Sequence, residues 1–206
     1  MARRLCFTKQ VPSCYNHQPP DAVALRQRGG AALGFLIISN MNEIVQLNSK
    51  MKLSEHFTLG EMTKSNSHPE IYNIPSHEAI ANMKRVCEWL EVLRERAASP
   101  DPTASPGPSK GRGVPIIINS GYRSPQLNRK IGGAANSNHL TGCAVDIRTS
   151  GMEQAICYAA ILINYAKESQ HDFDELLIEK NRYGAVWVHF AVRPSNNRRK
   201  VMFLNA

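Results

Sequence analysis

No Cys-x-x-Cys pair, no His-Glu-x-x-His stretch and no run approaching the ~20 apolar residues of a membrane span occurs in this chain of 206 residues. The five cysteines, Cys6, Cys14, Cys87, Cys143 and Cys157, are an odd number without paired spacing. That argues against a thiolate metal knuckle and against a disulfide framework. Cys87 and Cys157 fall at apolar positions of helix-like segments and read as small core side chains, in keeping with synthesis in a reducing compartment. Aromatic residues make up only 7% of the chain and are not interleaved with the basic ones. The net charge of +8 therefore carries no nucleic-acid footprint. A mild basic excess spread along the chain suits an anionic polymer such as a cell wall, or simply a solvated surface.

What is present divides into an atypical start and an ordinary globular remainder. Residues 1–50 mix Pro12, Pro19 and Pro20 with scattered basic residues and show no sustained period. They read as a disordered extension or a non-native start, with Met51 as the natural beginning of the text that follows. Within them, residues 31–39 (AALGFLIIS) are a short apolar run. The basic part before it is too long, and no clean small-residue cleavage site follows, so it is not a convincing signal peptide. The expectation is synthesis in the cytoplasm, with access to any wall substrate through lysis or a partner's export route.

From Met51 onward Phe57, Leu59 and Met62 look like core anchors. Ser76 caps a helix whose Ile80, Met83, Cys87, Leu90 and Leu93 recur at three- and four-residue steps. It stops near Ala97. Residues 98–113 are Pro/Ser/Gly-rich and read as a flexible loop inside one domain spanning 51–206. Residues 114–119 form a β-branched run expected to be a buried strand. Ser124-Pro125 opens a short helix that ends at Gly132-Gly133. A polar loop covers 134–142, and a strand covers 143–147. A long helix over 152–167 is expected to turn Ile156, Ala159, Ala160 and Ile163 inward. Strands over 174–179 and 186–192 join through the turn 181–184 (NRYG) into a hairpin. The fold class is α+β, a small antiparallel sheet with packed helices.

Asp146 is the informative residue, because it sits within the apolar strand Cys143-Ala144-Val145-Asp146-Ile147. A buried carboxylate is costly unless it is paired or binds a metal. His139, in the polar loop, and His189, in the last strand read here, complete a set of two imidazoles and one carboxylate. Three such ligands with a fourth position left to water describe a catalytic rather than a structural zinc site. The competing interpretation is that Asp146 caps a turn or pairs with Arg148 or Arg123, and that the histidines are packed side chains.

Ser120-Gly121-Tyr122-Arg123-Ser124, then Ser137-x-His139-x-x-Gly142-x-Ala144-x-Asp146, then Trp187-x-His189 closely resemble the zinc-dependent D-alanyl-D-alanine carboxypeptidase and dipeptidase family, which shares its core fold with the hedgehog signalling domain. The resemblance runs from about Met51 to Val192 apart from the proline-rich loop. The opening Phe57-x-Leu59-x-Glu61-Met62 looks like the branch found in phages and mobile elements. The resemblance implies one Zn2+ per chain on His139, Asp146 and His189, and peptidoglycan stem peptides as partners. It also implies Arg123 beside the substrate carbonyl or carboxylate, with Ser137 and Trp187 at the substrate. A structural ion pair for Arg123, a loop cap for Ser137 and core filling for Trp187 remain the alternatives.

In better-known members of that family a general-base carboxylate stands three residues before the last histidine. Here that position is Val186. Glu179, at the end of the partner strand, is the candidate replacement if the strand register turns it to the metal; Glu175 and Asp174 are weaker ones. The function the resemblance implies is a zinc metallopeptidase cutting next to a D-amino acid in peptidoglycan stem peptides. The alternative is a zinc-containing cell-wall binding module of weak or no activity, which Val186 favours.

Overall fold

The computed structural model describes residues 49–99 and 113–205. The expected extension (1–50) and flexible loop (98–113) lie outside the described residues but for 49, 50, 98, 99 and 113. In chain order the elements are helix α1 (Leu59–Thr63), α2 (His77–Arg96), strand β1 (Ile118–Ser120), α3 (Pro125–Lys130), a 3-10 turn (Asn138–Thr141), β2 (Ala144–Arg148), α4 (Met152–Ser169), β3 (Glu175–Lys180), β4 (Val186–Ala191) and β5 (Lys200–Asn205). The fold is α+β, with one five-stranded sheet ordered β1-β2-β4-β3-β5.

Local chemistry sets the helix boundaries. The Ser76 hydroxyl accepts from the Ala79 N–H, Glu78 stands in the first turn of α2, and Arg94 and Arg96 stand in its last, which matches the helix dipole. Ser124 caps α3 with Pro125 in its first turn, where the missing N–H costs nothing. Thr58 and Glu61 form a reciprocal capping box at α1. Phe57, Leu59 and Met62 are buried as expected.

Alternation along the strands gives the sheet two different faces. Val145 and Ile147, Val186, Val188 and Phe190, and Leu176 point into the core, against α2 and α4. Trp89 of α2 packs there edge-on against Phe173 at 6.3 Å and Tyr165 of α4 at 4.8 Å, and tilted against Phe190 at 5.2 Å, between ring centroids. Each such side chain contributes about 1.5–3 kcal/mol on burial. The opposite face carries Asp146, His189, Trp187, Glu175 and Glu179, so the core helices leave it for chemistry.

Several elements differ from the sequence expectation. The strand over 114–119 shrinks to Ile118–Ser120; Pro115 has no N–H for a ladder, and the pairing with β2 slips between Ile118 and Ser120. The polar loop contains the 3-10 turn. Helix α4 is in a different phase: Ala155, Tyr158, Ala159, Ile161, Leu162 and Ala166 are buried, while Ile156 is 54% exposed and Ile163 only partly covered. Cys157, next to Ile156, is exposed, whereas Cys87 is buried as expected. An unforeseen strand, β5, follows β4 and pairs in parallel with β3; the other pairings are antiparallel. Among the described residues no helix is long and apolar enough to cross a membrane.

Candidate metal centre

Sheet register places the first two ligands. Asp146 of β2 and His189 of β4 are direct cross-strand partners, so both side chains leave the same face. The third comes from the 3-10 turn, and its geometry explains the motif around it. Ser137 accepts a hydrogen bond from the His139 N–H at 3.3 Å. Gly142 closes the turn at φ +73°, where a Cβ would stand 2.5 Å from the Ala79 carbonyl oxygen. A side chain there meets both the left-handed backbone penalty and α2. Ser137 is thus the cap of the turn.

The three side chains are buried, and their ligating atoms lie within 4.8 Å of one another. Asp146 Oδ1 is 2.9 Å from His189 Nδ1 and 3.2 Å from His139 Nε2, and the two nitrogens are 3.3 Å apart. Ligands at about 2.0–2.1 Å around a tetrahedral ion stand about 3.3–3.4 Å from each other. Two edges of the triangle already match, and the third needs to open by about 0.4 Å. The remaining atoms of each ligand are engaged elsewhere. His139 Nδ1 faces the Gly121 carbonyl at 2.6 Å, which leaves Nε2 as the lone-pair nitrogen. Asp146 Oδ2 accepts from Arg123 Nη2 at 2.5 Å, and Arg123 Nε donates to the Ser120 hydroxyl at 2.8 Å. Two imidazoles and a carboxylate converging through single atoms fit a divalent transition metal, zinc foremost.

Charge follows the same geometry. Burial pushes the Asp146 carboxyl up, but the charges and hydrogen bonds of His139 and His189 outweigh it and hold the group far below the usual carboxylate range. Burial pushes His189 down, yet the hydrogen bond with Asp146 and the nearby carboxylate of Glu175 raise it to about 9.

The three acidic candidates for a base separate cleanly. Asp174 is fully buried and held by Arg198 Nε and Nη2 at 2.8 and 2.7 Å and by Asn138 Nδ2 at 2.8 Å, so it is not available. Glu175 Oε1 is 2.9 Å from Arg198 Nη2, and its Oε2 accepts from Asn138 Nδ2 at 3.0 Å. The His189 interaction, against burial, brings Glu175 down to about 2. Glu179 is different. It pairs with Trp187 across β3 and β4, and alternation puts both on the His189 face. Burial and the nearby Asp146 charge raise its pKa, against the pull of His189, a hydrogen bond from the Trp187 indole, and His139.

Val186 also finds its place. Three residues from His189 on a regular strand, its side chain is on the core face, 9% exposed. A carboxylate there would be buried among apolar side chains, away from the metal ligands. Sequence reasoning did not find Asn138 or Arg198, whose hydrogen bonds converge on Asp174 and Glu175; Asn138 is an unspecified position inside the Ser137-x-His139 motif.

Residues 110–182, which contain Arg123, Ser137, His139, Asp146 and Glu179, match the family model described as Peptidase M15. With the candidate His139–Asp146–His189 centre, this match supports a similarity to the zinc D,D-peptidase family. It is 28% identical over 149 residues to the zinc D-Ala-D-Ala carboxypeptidase of Streptomyces albus G, an alignment covering 72% of this chain and 50% of that protein. The chain thus spans about half the length of that relative.

Proposed function

We propose that the chain is a zinc metallopeptidase that hydrolyses a peptide bond next to a D-amino acid in peptidoglycan stem peptides. The observation that carries this reading is the His139–Asp146–His189 triangle with Glu179 on the same face of the sheet. Bound there, zinc would supply a Lewis acid and lower the pKa of water toward neutrality. His139, Asp146 and His189 would hold it.

Glu179 takes the proton of the attacking water and returns it to the leaving amine; a carboxyl raised by burial is better suited to both steps than an ordinary one. The Trp187 indole N–H orients Glu179 and its ring walls the cleft. Arg123 spends two donors on Asp146 and Ser120. Its remaining N–H groups stabilise the developing oxyanion or grip a substrate carboxylate. Access to the wall follows lysis or a partner's export route.

The test is to purify the chain, measure zinc by elemental analysis, and incubate it with peptidoglycan fragments read by mass spectrometry. About one zinc per chain with a defined product is the expected result. Zinc and peptidoglycan affinity without cleavage would replace the enzyme by a binding module. A folded sample that takes up no metal would overturn the reading.

A further inference from the structure

The metal face has a second layer that the reaction does not use directly. His189 presents Nδ1 to Asp146 and His139, which leaves Nε2 pointing at Glu175 Oε2, 3.6 Å away. That separation is a charge contact, a few tenths of an ångström outside hydrogen-bond range. Glu175 is itself held on several sides. Its Oε1 meets Arg198 Nη2 at 2.9 Å and Lys200 Nζ at 3.3 Å, and its Oε2 takes the Asn138 amide at 3.0 Å. Asn138 is the residue before His139, and its side-chain Oδ1 accepts from Arg193 Nε at 3.0 Å. One carboxylate therefore connects the support of one histidine ligand to the outer nitrogen of the other.

A histidine bound to a metal through one nitrogen keeps its proton on the other, and the acceptor of that proton fixes ring orientation and ligand basicity. We propose that Glu175 is the positioning residue for His189, with Arg198 and Asn138 locking its carboxylate so that it faces the outer Nε2 edge of the ring instead of acting as a base or a fourth ligand. Arg193, Arg198 and Lys200 come from the segment that follows β4 and leads into β5. The inference rests on His139, Asp146 and His189 holding a metal.

The experiment measures zinc affinity by chelator competition at fixed pH on the full chain, for wild type, Glu175→Gln and Arg198→Gln. Each variant's metal-free fold is checked by circular dichroism, and the cobalt-substituted absorption spectrum is recorded. Positioning predicts roughly 10- to 100-fold weaker zinc binding in Glu175→Gln, with an altered cobalt spectrum. It predicts weaker binding in Arg198→Gln as well, because Glu175 is then unlocked. A pure charge effect predicts the opposite sign for Arg198→Gln, since removing a cation favours a bound cation. Tighter zinc binding in Arg198→Gln, or affinity within about threefold of wild type and an unchanged cobalt spectrum in Glu175→Gln, would overturn the proposal while leaving the metal site standing. Wild type that binds no zinc would remove both. If Glu175→Gln does not fold, the sign of the Arg198→Gln effect decides.

Discussion

Val186 and His189 are three residues apart on one strand and their side chains leave opposite faces of the sheet, one into the core and one toward the metal site. On the proposed function the base comes instead from the neighbouring strand, as Glu179, which lies on the His189 face. Glu179→Gln is expected to keep its zinc and lose about 10²- to 10⁴-fold in kcat. Val186→Glu in that background should restore nothing. By burying a carboxylate among apolar side chains it should also lower stability by at least about 2 kcal/mol. Steady-state kinetics with metal analysis, and denaturant melts, check the two halves. Recovery of activity in the double variant would contradict the assignment.

The raised His189 couples the centre to pH. Its pKa in the folded protein is about 9, against an ordinary 6.5. A group raised on folding contributes stability that is complete below the ordinary value and disappears as pH climbs through the folded one. Metal-free protein should therefore lose thermal stability between about pH 6.5 and 9. Zinc must displace the same proton, so its affinity should rise over that window by up to about tenfold per pH unit. Melts of chelator-treated protein and zinc competition at stepped pH should give slopes of opposite sign.

Gly142→Ala tests the turn that carries His139. The left-handed backbone alone costs about 1–2 kcal/mol, and the new Cβ would meet the Ala79 carbonyl oxygen at 2.5 Å. Relief requires the turn to move off α2. The expected result is a destabilised protein with weaker zinc binding, whereas Gly151→Ala, where a Cβ meets nothing within 4 Å, should leave zinc affinity unchanged.

Arg123→Lys keeps the charge but not the fork that spans Asp146 and Ser120. Zinc affinity should fall roughly tenfold or more, and kcat/KM should fall further, because the donors assigned to substrate go with it. Equal losses in affinity and kcat/KM would confine Arg123 to holding Asp146.

The candidate metal ligands, which the structure brings together, were named from one odd residue and from the resemblance of the motifs around the two histidines. Asp146 interrupts an apolar strand, and Gly142 follows a capped turn. Helix α2 was legible to within a residue because Ser76, the apolar stripe and Arg94 and Arg96 agree. The phase of α4 was not. Apolar residues nearly surround it, so periodicity does not choose between Ile156 and Ile161; packing against Trp89 and the sheet does. Nor was β5 readable. Val201, Met202 and Phe203 are 41–52% exposed, and a parallel pairing with β3 depends on contacts remote in sequence. Glu175 looked like a rival of Glu179 because both lie on one face of β3. Only the cations around Glu175 tell them apart, and those come from the unread segment.

The three ligands come from a turn and two strands, with His189 43 positions from Asp146 and 50 from His139. A chain that has lost its sheet offers no chelate of the same kind. Each equivalent of metal taken up at this centre is therefore a census of native molecules, and a colorimetric metal titration of a mutant library would rank foldedness without any substrate at all.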